Sequence, residues 1–293
     1  MPEFPDVTIY VESVRLRIVG QPLLRIRFTS PFLLRSVDPP VHEADGKTVL
    51  ALRRIGKQIV WQLEDGLFLV FHLMIAGRFH WRKVGANAPG KIGLAAFDFP
   101  DGTLLLTEAS TKKRASLHLV KGESSLAQFN RGGIEVLEST VEEFQRALRS
   151  ENHTLKRALT DPRLFSAIGN AFSDEILHTA QLSPLLLTQK LSDLQVKTLF
   201  EATRRTLTEW TDRLRAQTGS EFPEKVTAFH EEMAVHGKYG KPCPICGTKV
   251  QRIVYAENEC NYCPKCQTGG KMLADRSLSR LLKDDWPKTI DEL

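Results

Sequence analysis

The stretch Cys243–Cys266 reads CPICGTKVQRIVYAENECNYCPKC and holds all five cysteines of the chain. Two Cys-x2-Cys pairs, Cys243 with Cys246 and Cys263 with Cys266, flank a spacer that can form a β-hairpin and so bring the pairs together. Four thiolates around one ion are typical of a structural zinc site, because no coordination position is left for water. The pattern therefore predicts one zinc ion, with any chemistry located elsewhere in the chain.

The fifth cysteine, Cys260, lies outside this spacing, and we expect a partly buried free thiol there. Cysteines confined to one short region cannot cross-link a whole fold. In a reducing compartment, a cluster of this kind favours a metal over disulfides.

The composition is that of a globular protein. The chain has 293 residues, 42% of them hydrophobic, which is enough for two domains with cores of their own. A net charge of +5 favours an anionic partner without establishing one. No apolar run approaches the ~20 residues that a membrane-spanning helix needs, and the start has no signal-peptide pattern. These features predict a cytosolic protein without a membrane partner.

The N-terminal part of the chain is β-rich behind one helix. Residues 5–20, PDVTIYVESVRLRIVG, predict a helix with Pro5 in its first turn and Gly20 at its end. From there to about Leu119, short apolar runs alternate with turn signals such as EDG and PDG. This pattern predicts a β-sandwich or barrel.

The period changes in the second half. From about Thr140 to Gln217 apolar residues recur at helical spacing, as in VEEFQRALRS, and the polar residues before Thr140 predict a linker. The predicted parts are an N-terminal helix with a β-sandwich, a linker, a helical domain, a zinc finger and a tail, at residues 1–120, 121–139, 140–235, 236–270 and 271–293.

The first residues, MPEFPDV, place Pro2 behind the initiator Met and carboxylates at Glu3 and Asp6. Removal of Met1 would leave a secondary amine with a pKa near the α-amino reference of about 8, partly unprotonated at neutral pH. Such an amine can attack a carbonyl-like carbon to give an iminium, while the carboxylates move protons. From these residues alone a structural interpretation is favoured, because Pro and acidic residues suit the first turn of a helix.

Five segments, in order, resemble motifs of the formamidopyrimidine-DNA glycosylase and endonuclease VIII family of base-excision repair enzymes. MPEFPDV resembles the family's MPELPEV start, and RRIGKQIVW resembles the segment with its β-strand lysine, here Lys57. FHLMIAGRF, IGNAFSDEIL and AVHGKYGKPC resemble its HLGMSG loop, its GNIYASE helix-turn-helix motif and its VYGRxGxPC approach to the finger. The resemblance covers about residues 1–267. It implies an α+β fold with an N-terminal helix plus β-sandwich, a helical domain with a helix-two-turn-helix, and a C-terminal four-cysteine zinc finger.

The resemblance implies a bifunctional DNA glycosylase and AP lyase. In the family the terminal proline attacks C1′ of the damaged nucleoside, so Pro2 is the implied nucleophile and Glu3 the implied acid and base. Asp6 stands where relatives usually have Glu, and Lys57 is implied to bind a phosphate near the lesion. The implied partner is double-stranded DNA with damaged bases or abasic sites, bound by a monomer in the bacterial cytosol, at the nucleoid. A damaged-DNA-binding protein, or an AP lyase with little glycosylase activity, is the alternative.

The resemblance also implies a set of DNA contacts. Asn170, where a turn leads into a helix, can hold a phosphate, with a helix cap as the alternative. Ile75 aligns with an apolar wedge that fills the gap left by an everted base, with a core strand end as the alternative. The implied set is His72, Ile75, Lys112, Lys113, Arg114, Asn170, Lys238 and Asn258.

Besides Asp6, the sequence departs from the family motifs at two places, and its tail lies beyond the region of resemblance. Asn258 stands where relatives usually have an arginine at the tip of the finger hairpin, and an uncharged amide predicts weaker phosphate binding and less δ-elimination. Residues 107–117, TEASTKKRASL, replace the DPRRFG loop of relatives that act on oxidised guanine, keeping the charge and losing the Phe. The resemblance therefore does not imply specificity for 8-oxoguanine opposite cytosine. In the tail, residues 273–282 predict a short helix packed on the finger.

Overall fold

A computed structural model describes residues 1–224, 226–227, 229–255, 258–274, 281 and 288–292. The chain forms two compact units. The first comprises Met1–Arg131 and Trp210–Ala228, and the second comprises Gly132–Glu209 and Phe229–Leu293. None of the helices within the described residues is long and apolar enough to cross a membrane.

Helix α1, Phe4–Ile18, opens the first unit. Asp6 Oδ2 accepts the backbone N–H of Glu3 at 2.9 Å, which satisfies one donor at the helix start, and a proline lies in the first turn. Gly20 has a φ of +80°, a left-handed conformation that glycine adopts without strain. The helix therefore starts and ends where the sequence predicts.

Eight antiparallel strands form two four-stranded sheets in the first unit. The spatial orders are β1-β6-β7-β5 in one sheet and β2-β3-β4-β8 in the other. The EDG turn joins β3 to β4 and the PDG turn joins β6 to β7, as predicted. The strands are β1 Arg25–Phe28, β2 Val49–Ile55, β3 Gln58–Leu63, β4 Leu67–His72, β5 Gly77–Arg82, β6 Gly93–Phe99, β7 Gly102–Glu108 and β8 Ser116–Lys121.

Aromatic rings from both sheets fill the space between them. Phe71 on β4 lies 4.6 Å from Trp61 on β3, 5.4 Å from Phe79 on β5 and 5.3 Å from Phe97 on β6, measured between ring centroids. All four residues are fully buried, in one cluster with apolar residues of α1. This common core makes the two sheets a β-sandwich, with α1 packed on it.

The segment Trp210–Ala228 belongs to the first unit, although helix α5, Asp193–Thr218, runs into it without a break in periodicity. Its residue Phe222 is part of the sandwich core and lies 6.1 Å from the ring of Tyr10. Glu224 accepts two hydrogen bonds from Arg82, at 2.5 and 2.9 Å. The boundary between the two units therefore falls inside α5, and the spacing of apolar residues along this helix does not mark it.

The helices before the finger in the second unit lie in its first segment, Gly132–Glu209. Thr140 caps the first of its helices, since its Oγ1 accepts the N–H of Glu143 at 3.3 Å. The helices are α2 Val141–Arg149, α3 Leu155–Thr160, α4 Asn170–Thr179 and the first part of α5.

The finger has the predicted hairpin. Strand β9, Gln251–Tyr255, pairs antiparallel with β10, Asn258–Tyr262, and the short helix α6, Pro264–Thr268, follows. Residues 288–292 of the tail lie against its end, where Met272 N–H donates to the Lys288 carbonyl at 2.9 Å. The predicted tail helix lies almost entirely outside the described residues. The predicted fold class, an N-terminal helix plus β-sandwich followed by helices and a four-cysteine finger, is confirmed.

Candidate active site and metal centre

The N-terminal amine lies in a buried, charged environment. Pro2 is buried, and Glu3 and Asp6 behind it are 2% and 0% exposed. Burial lowers the pKa of the amine, here that of Met1, and the positive charges of Arg78 and Lys57 lower it further, against the two carboxylates. A lowered pKa leaves a larger share of this Met1 amine unprotonated at neutral pH.

The structure shows what Asp6 binds and where Lys57 lies. Asp6 faces the start of its own helix and binds the N–H of Glu3. Lys57 was expected on a strand, and this is wrong: it lies in the two-residue turn with Gly56 between β2 and β3. Lys57 is half-buried in this turn.

His72 and Ile75 lie at the end of β4 and in the turn that follows. Burial lowers the pKa of His72 to about 4, and the charges of Lys57, Arg131 and His118 act in the same direction. The imidazole is therefore uncharged at neutral pH and can take part in hydrogen bonds but not in ion pairs. Ile75 is 59% exposed, so the alternative of a core strand end is wrong.

The loop between β7 and β8 carries the basic residues Lys112, Lys113 and Arg114. Glu108, only 1% exposed, accepts the backbone N–H groups of Arg114 and Ala115 at 2.9 and 3.1 Å. Lys113 Nζ donates to the Glu108 carbonyl, whereas Lys112 and Arg114 are exposed. The buried carboxylate of Glu108 therefore fixes the backbone at the end of the loop, and Lys112 and Arg114 lie at its surface.

Asn170 is the first residue of α4 and does not cap it. The N-cap is Gly169, so the cap interpretation is wrong. The side-chain Nδ2 of Asn170 donates to the carbonyl of Glu259 on β10 at 2.9 Å. Lys238, also predicted to contact DNA, is half-buried in a turn closed by its N–H to the Val235 carbonyl at 3.0 Å.

The four predicted ligands come together. Their Sγ atoms lie within 4.8 Å of one another, with 3.9 Å between Cys243 and Cys266 and 3.4 Å between Cys246 and Cys263. Zinc–sulfur bonds of about 2.3 Å in a tetrahedron require sulfur–sulfur distances of about 3.8 Å, so this set fits one zinc ion. Cys260 is a separate free thiol, fully buried rather than partly, and burial raises its pKa well above the usual value.

The backbone places Asn258 at the start of β10, paired with Tyr255, while its side chain lies outside the described part of the structure. The same hairpin carries Arg252 on β9, whose backbone lies opposite that of Asn261 on β10. Its guanidinium lies 4.4 Å from the ring centroid of Tyr239 and 3.2 Å from Glu259 Oε2.

Three family models match successive parts of the chain. They are the formamidopyrimidine-DNA glycosylase N-terminal domain at residues 1–120, the H2TH domain of that glycosylase at 134–219, and a zinc finger found in FPG and IleRS at 240–269. The chain belongs to the formamidopyrimidine-DNA glycosylase family. The resemblance drawn from the five sequence segments is thereby confirmed.

Relatives in this family match over most of their length. An uncharacterized formamidopyrimidine-DNA glycosylase-like protein of Mycobacterium tuberculosis is 38% identical over 151 residues, which are 52% of this chain and 94% of that protein. The formamidopyrimidine-DNA glycosylase of Ligilactobacillus salivarius is 27% identical, with 91% of this chain and 99% of that one covered.

Solved structures of family members have the same fold. The complex between the Lactococcus lactis Fpg and an abasic site containing DNA has a TM-score of 0.80 at 25% identity, covering 91% of this chain and 99% of that one. MutM in complex with carbocyclic 8-oxo-G containing DNA has a TM-score of 0.81 at 25% identity, covering 91% and 100%.

A buried polar network in this family member was not predicted from the sequence. Asp174 on α4 is fully buried and accepts hydrogen bonds from Lys156 Nζ at 2.6 Å, His236 Nδ1 at 2.8 Å and the N–H of Asn261 at 3.1 Å. The available signal was an acidic pair, Asp174 and Glu175, inside an otherwise apolar helix, because buried carboxylates need several donors.

We expect Lys156→Met to lower the free energy of unfolding by about 3–5 kcal/mol, because it leaves the buried Asp174 carboxylate without its cation. The matched control is Lys197→Met on α5, where an exposed ammonium lies 3.9 Å from Glu201. The control should leave stability nearly unchanged, since exposed pairs contribute little. Urea unfolding of both variants is the measurement. Equal losses in the two would contradict a special role for the buried pair.

Proposed function

We propose that the chain is a DNA glycosylase of base-excision repair with AP lyase activity. The observation that carries the proposal is the buried N-terminus: Pro2 is buried, and the carboxylates of Glu3 and Asp6 are buried beside it. Family membership supports it, since solved relatives include complexes with abasic-site and 8-oxo-G DNA.

The proposed reaction starts with removal of Met1, which turns Pro2 into a terminal secondary amine. Its nitrogen bonds to C1′ of the damaged nucleoside, the bond from C1′ to the base breaks, and the base leaves with a proton while the nitrogen loses its own. Cleavage of the bond from C1′ to the sugar ring oxygen then leaves an iminium between the nitrogen and C1′. Glu3 protonates the sugar oxygen as the ring opens. Loss of a C2′ proton then expels the 3′ phosphate, and water releases the open sugar from Pro2.

The roles of the neighbouring residues follow from their positions. Asp6 binds the N–H of Glu3, so we assign it the positioning of Glu3 rather than a proton transfer of its own. Lys57 in its turn is the proposed phosphate ligand near the lesion, and uncharged His72 a hydrogen-bonding partner. Ile75, exposed on its turn, is the proposed wedge for the gap left by an everted base.

Asn170 and Lys238 are the proposed phosphate contacts of the second unit. Since Nδ2 of Asn170 is engaged by the Glu259 carbonyl, its amide is held in one orientation at the start of α4, where backbone N–H groups favour an anion. Lys112, Lys113 and Arg114 are the proposed contacts of the β7–β8 loop. With no aromatic residue in this loop, we propose that the enzyme discriminates little between bases opposite the lesion.

One structural zinc ion, held by Cys243, Cys246, Cys263 and Cys266, is the proposed metal. The fit of the four sulfur atoms to a tetrahedron supports it, and a closed set of four thiolates supplies folding energy to the finger.

The first experiment is borohydride trapping on abasic DNA, in which only a protein that forms an imine becomes covalently attached. Pro2→Gly, or a tag left ahead of Pro2, should abolish or strongly reduce trapping while leaving binding to duplex DNA largely intact, because a tag turns the amine into an amide. Undiminished lyase activity in a tagged protein would exclude the mechanism. Binding without trapping in the untagged protein would favour a damaged-DNA-binding protein.

The metal proposal predicts one zinc per chain by elemental analysis. Cys243→Ser and Cys266→Ser should lose the metal together with DNA binding. Cys260→Ser is the matched control, because this thiol lies in the same hairpin but outside the cluster. Zinc loss from the control variant would show that the ligand set is different.

Asn258 generates a prediction about the product. If elimination of the second phosphate needs a cation at this position, the wild-type enzyme should stop mainly after β-elimination. Asn258→Arg restores a charged donor, and a charge-assisted hydrogen bond contributes roughly 1.5–3 kcal/mol, or about 10- to 100-fold in rate. The variant should shift the product toward a 3′ phosphate, which gel mobility separates. A wild-type enzyme that already yields mostly 3′ phosphate would refute this interpretation.

A further inference from the structure

A histidine outside the cysteine set reaches the metal centre. Nε2 of His178 lies 3.3 Å from Sγ of Cys243, and the two residues are 3% and 2% exposed. His178 belongs to the last turn of α4, 65 positions before Cys243 in the sequence. The contact is therefore a product of the fold and not of the local finger motif.

The direction of this hydrogen bond follows from the chemistry of the sulfur. A cysteine that binds zinc does so as a thiolate, which has no proton to donate. Nε2 must then carry the hydrogen and donate it, which selects one tautomer of the imidazole. The donor comes from a helix outside the finger, whereas Cys263 Sγ accepts the N–H of Cys266 at 3.5 Å from within the finger itself.

We propose that His178 is a positioning residue of the metal centre, whose N–H holds the Cys243 thiolate in its ligating orientation. This inference rests on the metal site put forward above. Hydrogen bonds from outside the ligand set orient metal ligands, and their loss typically costs 10–100-fold in metal affinity.

The placement of His178 extends the proposal to the DNA-binding helix. Residues 170, 174 and 178 are spaced by four, so they lie on one face of α4. From this face Asn170 donates to the Glu259 carbonyl, Asp174 accepts the N–H of Asn261, and His178 donates to Cys243. The finger is thus bound along the whole length of the helix, and the metal centre is linked to the end that presents Asn170.

The test uses the full-length zinc-loaded protein and measures zinc release to a chromogenic chelator. His178→Leu keeps the approximate volume and removes the donor, and it should release zinc about 10–100-fold faster than wild type. His178→Gln keeps an N–H donor and should stay within about threefold of wild type. Leu177→Ala is the matched control, since Leu177 is fully buried in the same turn but does not belong to the apolar cluster that contains the four cysteines.

A spectroscopic readout separates orientation of the ligand from general loosening. In the cobalt-substituted full-length protein, His178→Leu should shift the thiolate-to-cobalt charge-transfer band, whereas Leu177→Ala should leave it in place. Equal acceleration in the Leu and Ala variants, no acceleration in His178→Leu, or a Gln variant as fast as the Leu variant would each overturn the proposal. Wild-type protein without bound metal would overturn the metal site itself, so the two failures are distinguishable.

Discussion

The second unit depends on two adjacent carboxylates that lie buried on α4. A buried carboxylate is tolerated only when donors surround it. Asp174 finds them in Lys156, His236 and Asn261, and Glu175 accepts three backbone N–H groups of residues 234–236, at 2.8 to 2.9 Å. These donors come from α3, from residues 234–236 before the finger and from β10. Their hydrogen bonds to the two carboxylates therefore connect these three segments to α4.

The same constraint shapes the N-terminus of the first unit. The Met1 amine and the carboxylates of Glu3 and Asp6 are all at least partly buried there, which affects both the start of α1 and the pKa of the amine. Asp6 at the third helical position reaches the N–H of Glu3 at 2.9 Å, so an Asp is long enough for this contact even though relatives usually have Glu. Desolvation, which costs stability, also lowers the pKa of the Met1 amine and increases its unprotonated fraction.

Apart from Asp6, the departures from the family motifs lie in segments proposed to touch DNA. Glu108 binds two backbone N–H groups of the β7–β8 loop, and Asn258 lies at the start of β10, where the resemblance implies an arginine. Pro2, Glu3 and the four zinc ligands are retained.

The sequence by itself determined the features that depend on neighbours a few residues apart: the bounds of α1, the EDG and PDG turns, and the two Cys-x2-Cys pairs. Only the tertiary structure decided that Lys57 lies in a turn, that Ile75 is exposed and that Asn170 binds a finger strand instead of capping its helix. It also decided the contact between His178 and Cys243. The physical reason is that spacing encodes the period of a helix, strand or knuckle, whereas the partner of a buried polar group is selected by packing between segments distant in the chain.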